Sequence, residues 1–269
     1  IQDMPYQLYP SQRMDMLSND QKSINVRYVG QFGWGSFEAR AYHERVDHFM
    51  EFGPDKQFLY TAGNATQGMP MQTKGKTTGA SAKANIDLSA LDLLRLGAEY
   101  QSYRLEDWWP AVVGATGMGP QDFQNINNGE RNRTALFGEW EKRFSPQWLS
   151  LLGVRYERVQ TNAGNVHGYG GMMDMNQTAD ASAFNAQNHK KSDNNWDMSA
   201  LARYTLDASK DLEFGLARKV RSPNLYERYT WSTAQMMMIM NNTVGDGNGY
   251  VGDVNLKPEK AHTISSTFD

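Results

Sequence analysis

The chain of 269 residues has no cysteine, so neither a disulfide framework nor a thiolate metal site can form within it. It has no run approaching the ~18 consecutive apolar residues that a membrane-spanning helix needs, and its mean hydropathy lies on the polar side. Basic residues are not in excess: 27 Lys and Arg against 30 Asp and Glu leave a net charge of -3. That balance lacks the footprint of a nucleic-acid-binding surface, and no nucleic-acid partner is expected. Long amphipathic helices with capping signals are missing too. The opening "IQDMPYQLYP" has neither the basic head nor the apolar stretch of a signal peptide, and "AHTISSTFD" stops inside an alternating pattern. Both ends look cut, which predicts a segment of a longer chain.

What is present is period-two alternation, the strand signal. In "SINVRY", Ile24, Val26 and Tyr28 fall on one face; in "LRLGAEYQ", Leu94, Leu96, Ala98 and Tyr100 oppose Arg95, Gly97, Glu99 and Gln101. "WLSLLGVRYE", "NWDMSALARYT" and "LEFGLARK" repeat the pattern, while segments near 131–143 and 258–269 fit it less cleanly. Connections alternate strictly between short and long. Short ones sit near Gly33–Gly35, Leu88–Leu91, Phe144–Gln147 and Leu206–Asp211; long ones, rich in Gly, Asn, Met and Asp, run roughly 53–75, 107–130, 161–194 and 221–257.

Loops of that length are uncommon in compact soluble domains. An antiparallel transmembrane β-barrel has short turns on one side, long loops on the other, and strands of ~9–11 residues with one lipid face and one polar lumen face. Trp140 and Trp148 flank the short turn "FSPQ", where an interfacial aromatic girdle would place them. A soluble β-sandwich also alternates, but it does not explain Arg and Glu recurring opposite the apolar positions, or long loops on one side only. The fold expected is all-β: a barrel segment of about nine strands, whose open edges require further strands and which is not expected to fold alone.

"GLARKVRSPNLYERYTWS" followed by "NGYVGDVNLKPEKAHTIS" resembles the late-barrel signature of TonB-dependent outer-membrane receptors, with its two parts at Arg221–Tyr229 and Asn255–Glu259. "VDHFM", "DWWP", "FGEWEKRF" and "GDGNGYVG" look more narrowly like the copper-receptor branch. The resemblance runs from about residue 22 to the end. It implies a barrel of about 22 strands holding an N-terminal plug domain, a short box that engages the energy-transducing protein TonB, and residence in the outer membrane of a Gram-negative bacterium, in contact with its lipid. Plug, box, first strands and last strands would lie outside this segment.

His48 and Met50 in "RVDHFMEF" are the leading metal-site candidates. They share the parity of Glu38, Arg40 and Glu44, so without an intervening bulge they point into the lumen. Imidazole beside thioether suits Cu(I), whereas Mg²⁺ or Ca²⁺ would need oxygen ligands. In the copper branch this His-x-Met is the barrel's share of the site, and the resemblance implies plug ligands, a thiol among them, for the rest. Without it, His48 and Met50 read first as an ordinary lumen histidine and a methionine packed on the plug. His43 has the opposite parity, and His167, His189 and His262 read as solvated.

Nine of the fifteen methionines fall in the long connections: Met69 and Met71; Met172, Met173 and Met175; Met236, Met237, Met238 and Met240. Clustered thioethers can capture Cu(I), or they can fill gaps where loops pack together. The run "MMMIM" is too short and lacks the polar face of a helix, so it reads as loop. "GDGNG" lacks the spaced carboxylates of a calcium loop. Arg155, Glu157, Arg203 and Glu213 read as a charged ladder along the wall, and no nucleophile–His–acid grouping is visible, so no enzyme is expected. The leading expectation is energised import of copper, as transported substrate. Uptake of a siderophore or other metal chelate is the alternative that "DWWP" supports, and a purely structural or adhesive surface protein is the third.

Overall fold

The computed structural model describes residues 15–51, 69–113, 117–171, 176–241 and 248–269. Among these residues nine strands form one antiparallel sheet, each paired with its neighbours in sequence. They are β1 (Asp15–Phe32), β2 (Gly35–Glu51), β3 (Met71–Ser89), β4 (Asp92–Trp109), β5 (Phe123–Arg143), β6 (Trp148–Asn162), β7 (Lys191–Asp207), β8 (Lys210–Arg221) and β9 (Glu259–Phe268). β1 and β9 are the open edges of this piece of barrel wall. The strands reach further than the alternation suggests. β5 has 21 residues and β3 has 19, against the ~9–11 needed to cross a bilayer, so their upper parts stand above the apolar band.

Cross-strand partners share a face, and the register separates two surfaces. One row runs Arg95, Glu139, Gly153, Ser199, Ala217, Thr263; the row beside it runs Leu94, Trp140, Leu152, Ala200, Leu216, Ile264. The polar face carries the ladder: Arg95 bonds Glu139 and Glu141, both at 2.7 Å, Arg155 bonds Glu99 at 2.7 Å, and Arg133 bonds Glu157 at 3.0 Å. Arg203 lies 3.7 Å from Glu213. The opposite face leaves Ile24, Val26, Leu136, Met198 and Ile264 more than half exposed, as a lipid-facing surface requires. Trp34, Phe144 and Trp148 are exposed around the short turns, where an aromatic girdle belongs.

β3, "MQTKGKTTGASAKANIDLS", has little apolar alternation, and packing explains why it is still a strand. The Tyr42 ring occupies the space that a Cβ on Gly79 would need, so an aromatic on one strand shields a glycine on the next. Gly35, with φ +133°, makes the first turn in a conformation that side chains rarely adopt.

The core lies among the long connections, not behind the wall. Phe123 is stacked between Trp109 and Trp231, with ring centroids at 4.6 and 4.8 Å. Around this stack gather Met69, Leu105, Met118, Ile126, Tyr169, Tyr229 and Met237. Among the described residues three short helices stand in these connections: α1 (Gln177–Asn185), α2 (Leu225–Tyr229) and α3 (Gln235–Met240). α3 corrects the reading of "MMMIM" as loop. Its six residues need no polar face because Met237 is wholly buried in the core, and Ala234 and Met237 carbonyls accept the bonds from Met238 and Asn241. Tertiary contact replaces the amphipathic pattern that isolated helices require.

The motif RSPNLYERY…NLKPE has a physical role here. Asn224 and Glu227 form a capping box that starts α2. Arg221 grips both halves, donating to Glu227 at 2.9 Å and to Glu259 at 2.8 and 3.0 Å. Arg228 is buried and donates to both carboxylate oxygens of Asp193, to Thr161 Oγ1 and to the Leu256 carbonyl. The 222–258 connection is thereby tied to β6, β7 and β9.

A candidate metal site under the loop core

β2 holds its register with β3 from Gly35 to Met50 without a shift, so His48 and Met50 do lie on the polar face with Glu38 and Arg40. His48 Nδ1 is 3.2 Å from Asn19 Oδ1 on β1. On the other side its row continues through Thr73 to Asp107. Met50 is half-buried, directly opposite Met71 on β3 and Met16 on β1. Opposed residues hold their Cβ atoms ~4.5–5.5 Å apart, within reach of a shared soft ion. Met16 is a candidate that the alternation missed. The register of β1 shifts between Met16 and Ser18, and this irregularity turns Met16 onto the face of Met50.

Above this row the loop core closes. Met50, Met71, Met236 and Met240 pack against the cluster that contains Met69 and Met237, so six of the predicted methionines converge. Met69 and Met237 have no exposed surface; they serve as core, and only the part-buried members remain reachable. Met238 is part-buried outside that cluster, and its carbonyl accepts from Tyr250 N at 3.0 Å. Met172, Met173 and Met175 lie outside the described residues, as does most of "GDGNG". Among the described residues no group of three or more His, Asp or Glu is disposed to hold a metal ion.

Asp107 is buried beside this site. It accepts from Asn125 Nδ2 at 2.8 Å and Thr73 Oγ1 at 3.4 Å. Asn125 and Asn241 exchange bonds at 2.8 and 3.2 Å, and Asn241 Nδ2 also donates to the Met237 carbonyl, so the network joins β3, β4 and β5 to the end of α3. Burial, reinforced by the Asp107 carboxylate, holds the Tyr226 phenol well above its usual value, and it remains a hydrogen-bond donor. The two tryptophans of "DWWP" are not an open platform: Trp109 is fully buried in the stack, and Trp108 faces outward under Lys74 Nζ, 5.5 Å from its ring.

The remaining histidines separate. His43 faces outward, 2.8 Å from Thr78 Oγ1, and His262 is exposed on β9. His167 is partly exposed, 3.7 Å from Asp122. The reading of His189 as solvated is corrected: it is buried, with Nδ1 3.0 Å from the Ala163 carbonyl and Nε2 2.8 Å from that of Phe184. It staples α1 to the end of β6, a role that has no local sequence signal.

No curated protein matches the sequence. The fold is similar to that of the copper transporter OprC, with a TM-score of 0.68 at 14% identity over 95% of this chain and 37% of that one. It is also similar to the FrpB iron transporter from Neisseria meningitidis, with a TM-score of 0.57 at 16% identity over 92% and 33%. The hemophore receptor HasR of Serratia marcescens, solved with its hemophore and heme, gives 0.57 at 14% identity over 93% and 36%. The chain thus spans between a third and two-fifths of the length of these proteins. The family model "TonB dependent receptor-like, beta-barrel" matches residues 3–268, and the chain belongs to that family of Gram-negative outer-membrane receptors.

Proposed function

We propose that this segment forms part of the wall of an outer-membrane importer for copper, energised through TonB, with a plug domain completing the metal site from the lumen. The observation that carries the reading is the row of three thioethers, Met16, Met50 and Met71, set directly above His48 on the polar face. Soft sulfur and imidazole donors favour Cu(I) over the harder divalent ions. The likeness of fold to a copper transporter is consistent with this assignment and does not carry it. Burial of Trp109 and the outward position of Trp108 remove the aromatic feature that favoured an organic chelate.

The test uses the full-length protein, purified in detergent and analysed for bound metal by elemental analysis. Wild type should carry stoichiometric copper, and His48→Ala and Met50→Ala should each lose it, while Met71→Ala should retain it more weakly. Copper that is absent from wild type, or unchanged in both His48→Ala and Met50→Ala, would move the metal to the loops or replace the ion with a chelate.

A further inference from the structure

The outward face of the sheet carries a feature that import does not use. Lys22, Arg45, Lys76 and Arg104 stand directly opposite one another on β1, β2, β3 and β4, in one unbroken cross-strand row. Like charges placed directly opposite each other in a sheet are destabilising, and three such pairings occur in succession. Local compensation is partial. Arg45 lies 3.2 Å from Asp47, and Arg104 bonds Asn132 at 2.8 Å and lies 3.8 Å from Glu130, which ends the row on β5. The next row toward the loops holds Asp20, Asp47, Lys74 and Glu106, with Lys74 3.6 Å from Asp47. Lys22 and Lys76 are exposed and make no ion pair among the described residues.

The height of this row is informative. Directly beneath it the outward positions are Ile24, His43, Thr78 and Ser102, then Val26, Ala41, Ala80 and Tyr100. No Asp, Glu, Lys or Arg follows on the outward faces of β1 to β4 until Asp92, at the short turn. On β1 the uncharged outward face from Ile24 to Phe32 covers about 27 Å along the strand, or roughly 20 Å along the axis at a ~40° tilt, close to the ~25 Å apolar band of such barrels. The basic row therefore sits at the outer edge of the band, at headgroup level. Farther round, Arg158 and Arg218 also stand outward, on the loop side of Tyr156 and Leu216. At the opposite edge the outward bases Lys142 and Lys210 are each paired, with Asp92 and Asp207.

We infer that the row Lys22–Arg45–Lys76–Arg104 is a binding site for the phosphorylated headgroup of an outer-leaflet lipid. Phosphate lying over the row supplies the missing counter-charge, and basic residues at a membrane surface attract anionic headgroups. The inference rests on placement in the outer membrane, and it is independent of the metal carried.

The test is native mass spectrometry of the full-length protein in detergent, titrated with lipid A and with lipid A stripped of both phosphates. Wild type should retain the phosphorylated lipid about tenfold better, and added salt should erase the difference. The variant Lys22→Gln/Arg45→Gln/Lys76→Gln/Arg104→Gln should lose that preference. A charge-keeping variant, Lys22→Arg/Arg45→Lys/Lys76→Arg/Arg104→Lys, should keep it. Equal retention of the two lipids by wild type overturns the site without recourse to any variant, and so does undiminished preference in the folded glutamine variant. Displacement by equimolar inorganic phosphate would show a free-anion site and overturn the lipid assignment. Copper content, read in the same preparations, separates failure here from failure of the metal assignment.

Discussion

Single side chains decide how the loop region is held. Arg221 clamps Glu227 and Glu259, and hydrogen bonding from Arg221 holds the Glu227 carboxyl below the usual carboxylate range. A carboxyl whose folded pKa is depressed stabilises the fold above its unfolded value, near 4.3, and loses that contribution as pH falls through the folded value. Amide protection across 222–258, the exchange rate measured against the intrinsic rate at the same pH, is thus expected to be strong and constant above about pH 5 and to weaken below about pH 4. Glu227→Gln should exchange faster at neutral pH and lose most of the pH dependence. A wild-type profile that is flat down to pH 3 would show that the clamp does not hold the connection. Arg228 is different in kind. It is buried with Asp193, so it enforces one placement of the loop through hydrogen bonds that water cannot replace.

Among elements, the stack Trp109–Phe123–Trp231 joins β4, β5 and the 222–258 connection. Phe123→Ala removes the middle ring, and it is expected to cost about 3–5 kcal/mol of loop-region stability while the wall stays folded. The check is near-ultraviolet circular dichroism, which should lose its tryptophan bands at a lower temperature than the far-ultraviolet strand signal. Simultaneous loss of both would make the wall and its loop core one cooperative unit. Strands that present one apolar face were legible in the sequence, because lipid on one side and polar groups on the other impose period two. β3 was legible only from the spacing of its turns, since its small residues are chosen to fit beneath Tyr42 and its neighbours. α3 was illegible: its helix is imposed by burial of Met237 rather than by local pattern. Parity was enough to put His48 and Met50 on the polar face, whereas the placement of Met16 depended on a register shift and that of Asp107 on contacts with segments far away in sequence.

Among the described residues the molecule is one sheet with two unpaired edges, one lipid-facing surface and one charged surface. Exposed strand edges and apolar faces invite association. Produced alone in buffer, the chain should aggregate or require detergent, as judged by light scattering and size-exclusion chromatography. A soluble monomer with a single reversible unfolding transition would contradict the barrel-wall reading.

Pairing only between sequence neighbours also gives the sheet an uneven contact order. Two-residue turns close β1 on β2, β3 on β4 and β7 on β8, whereas 37 residues separate β8 from β9. Closing the longer connection costs about 2.5 kcal/mol more chain entropy. Hairpins are therefore the natural units of assembly, and each long connection marks a seam between two of them. The aromatic core spans those seams, so it cannot close until the hairpins it joins have been brought together.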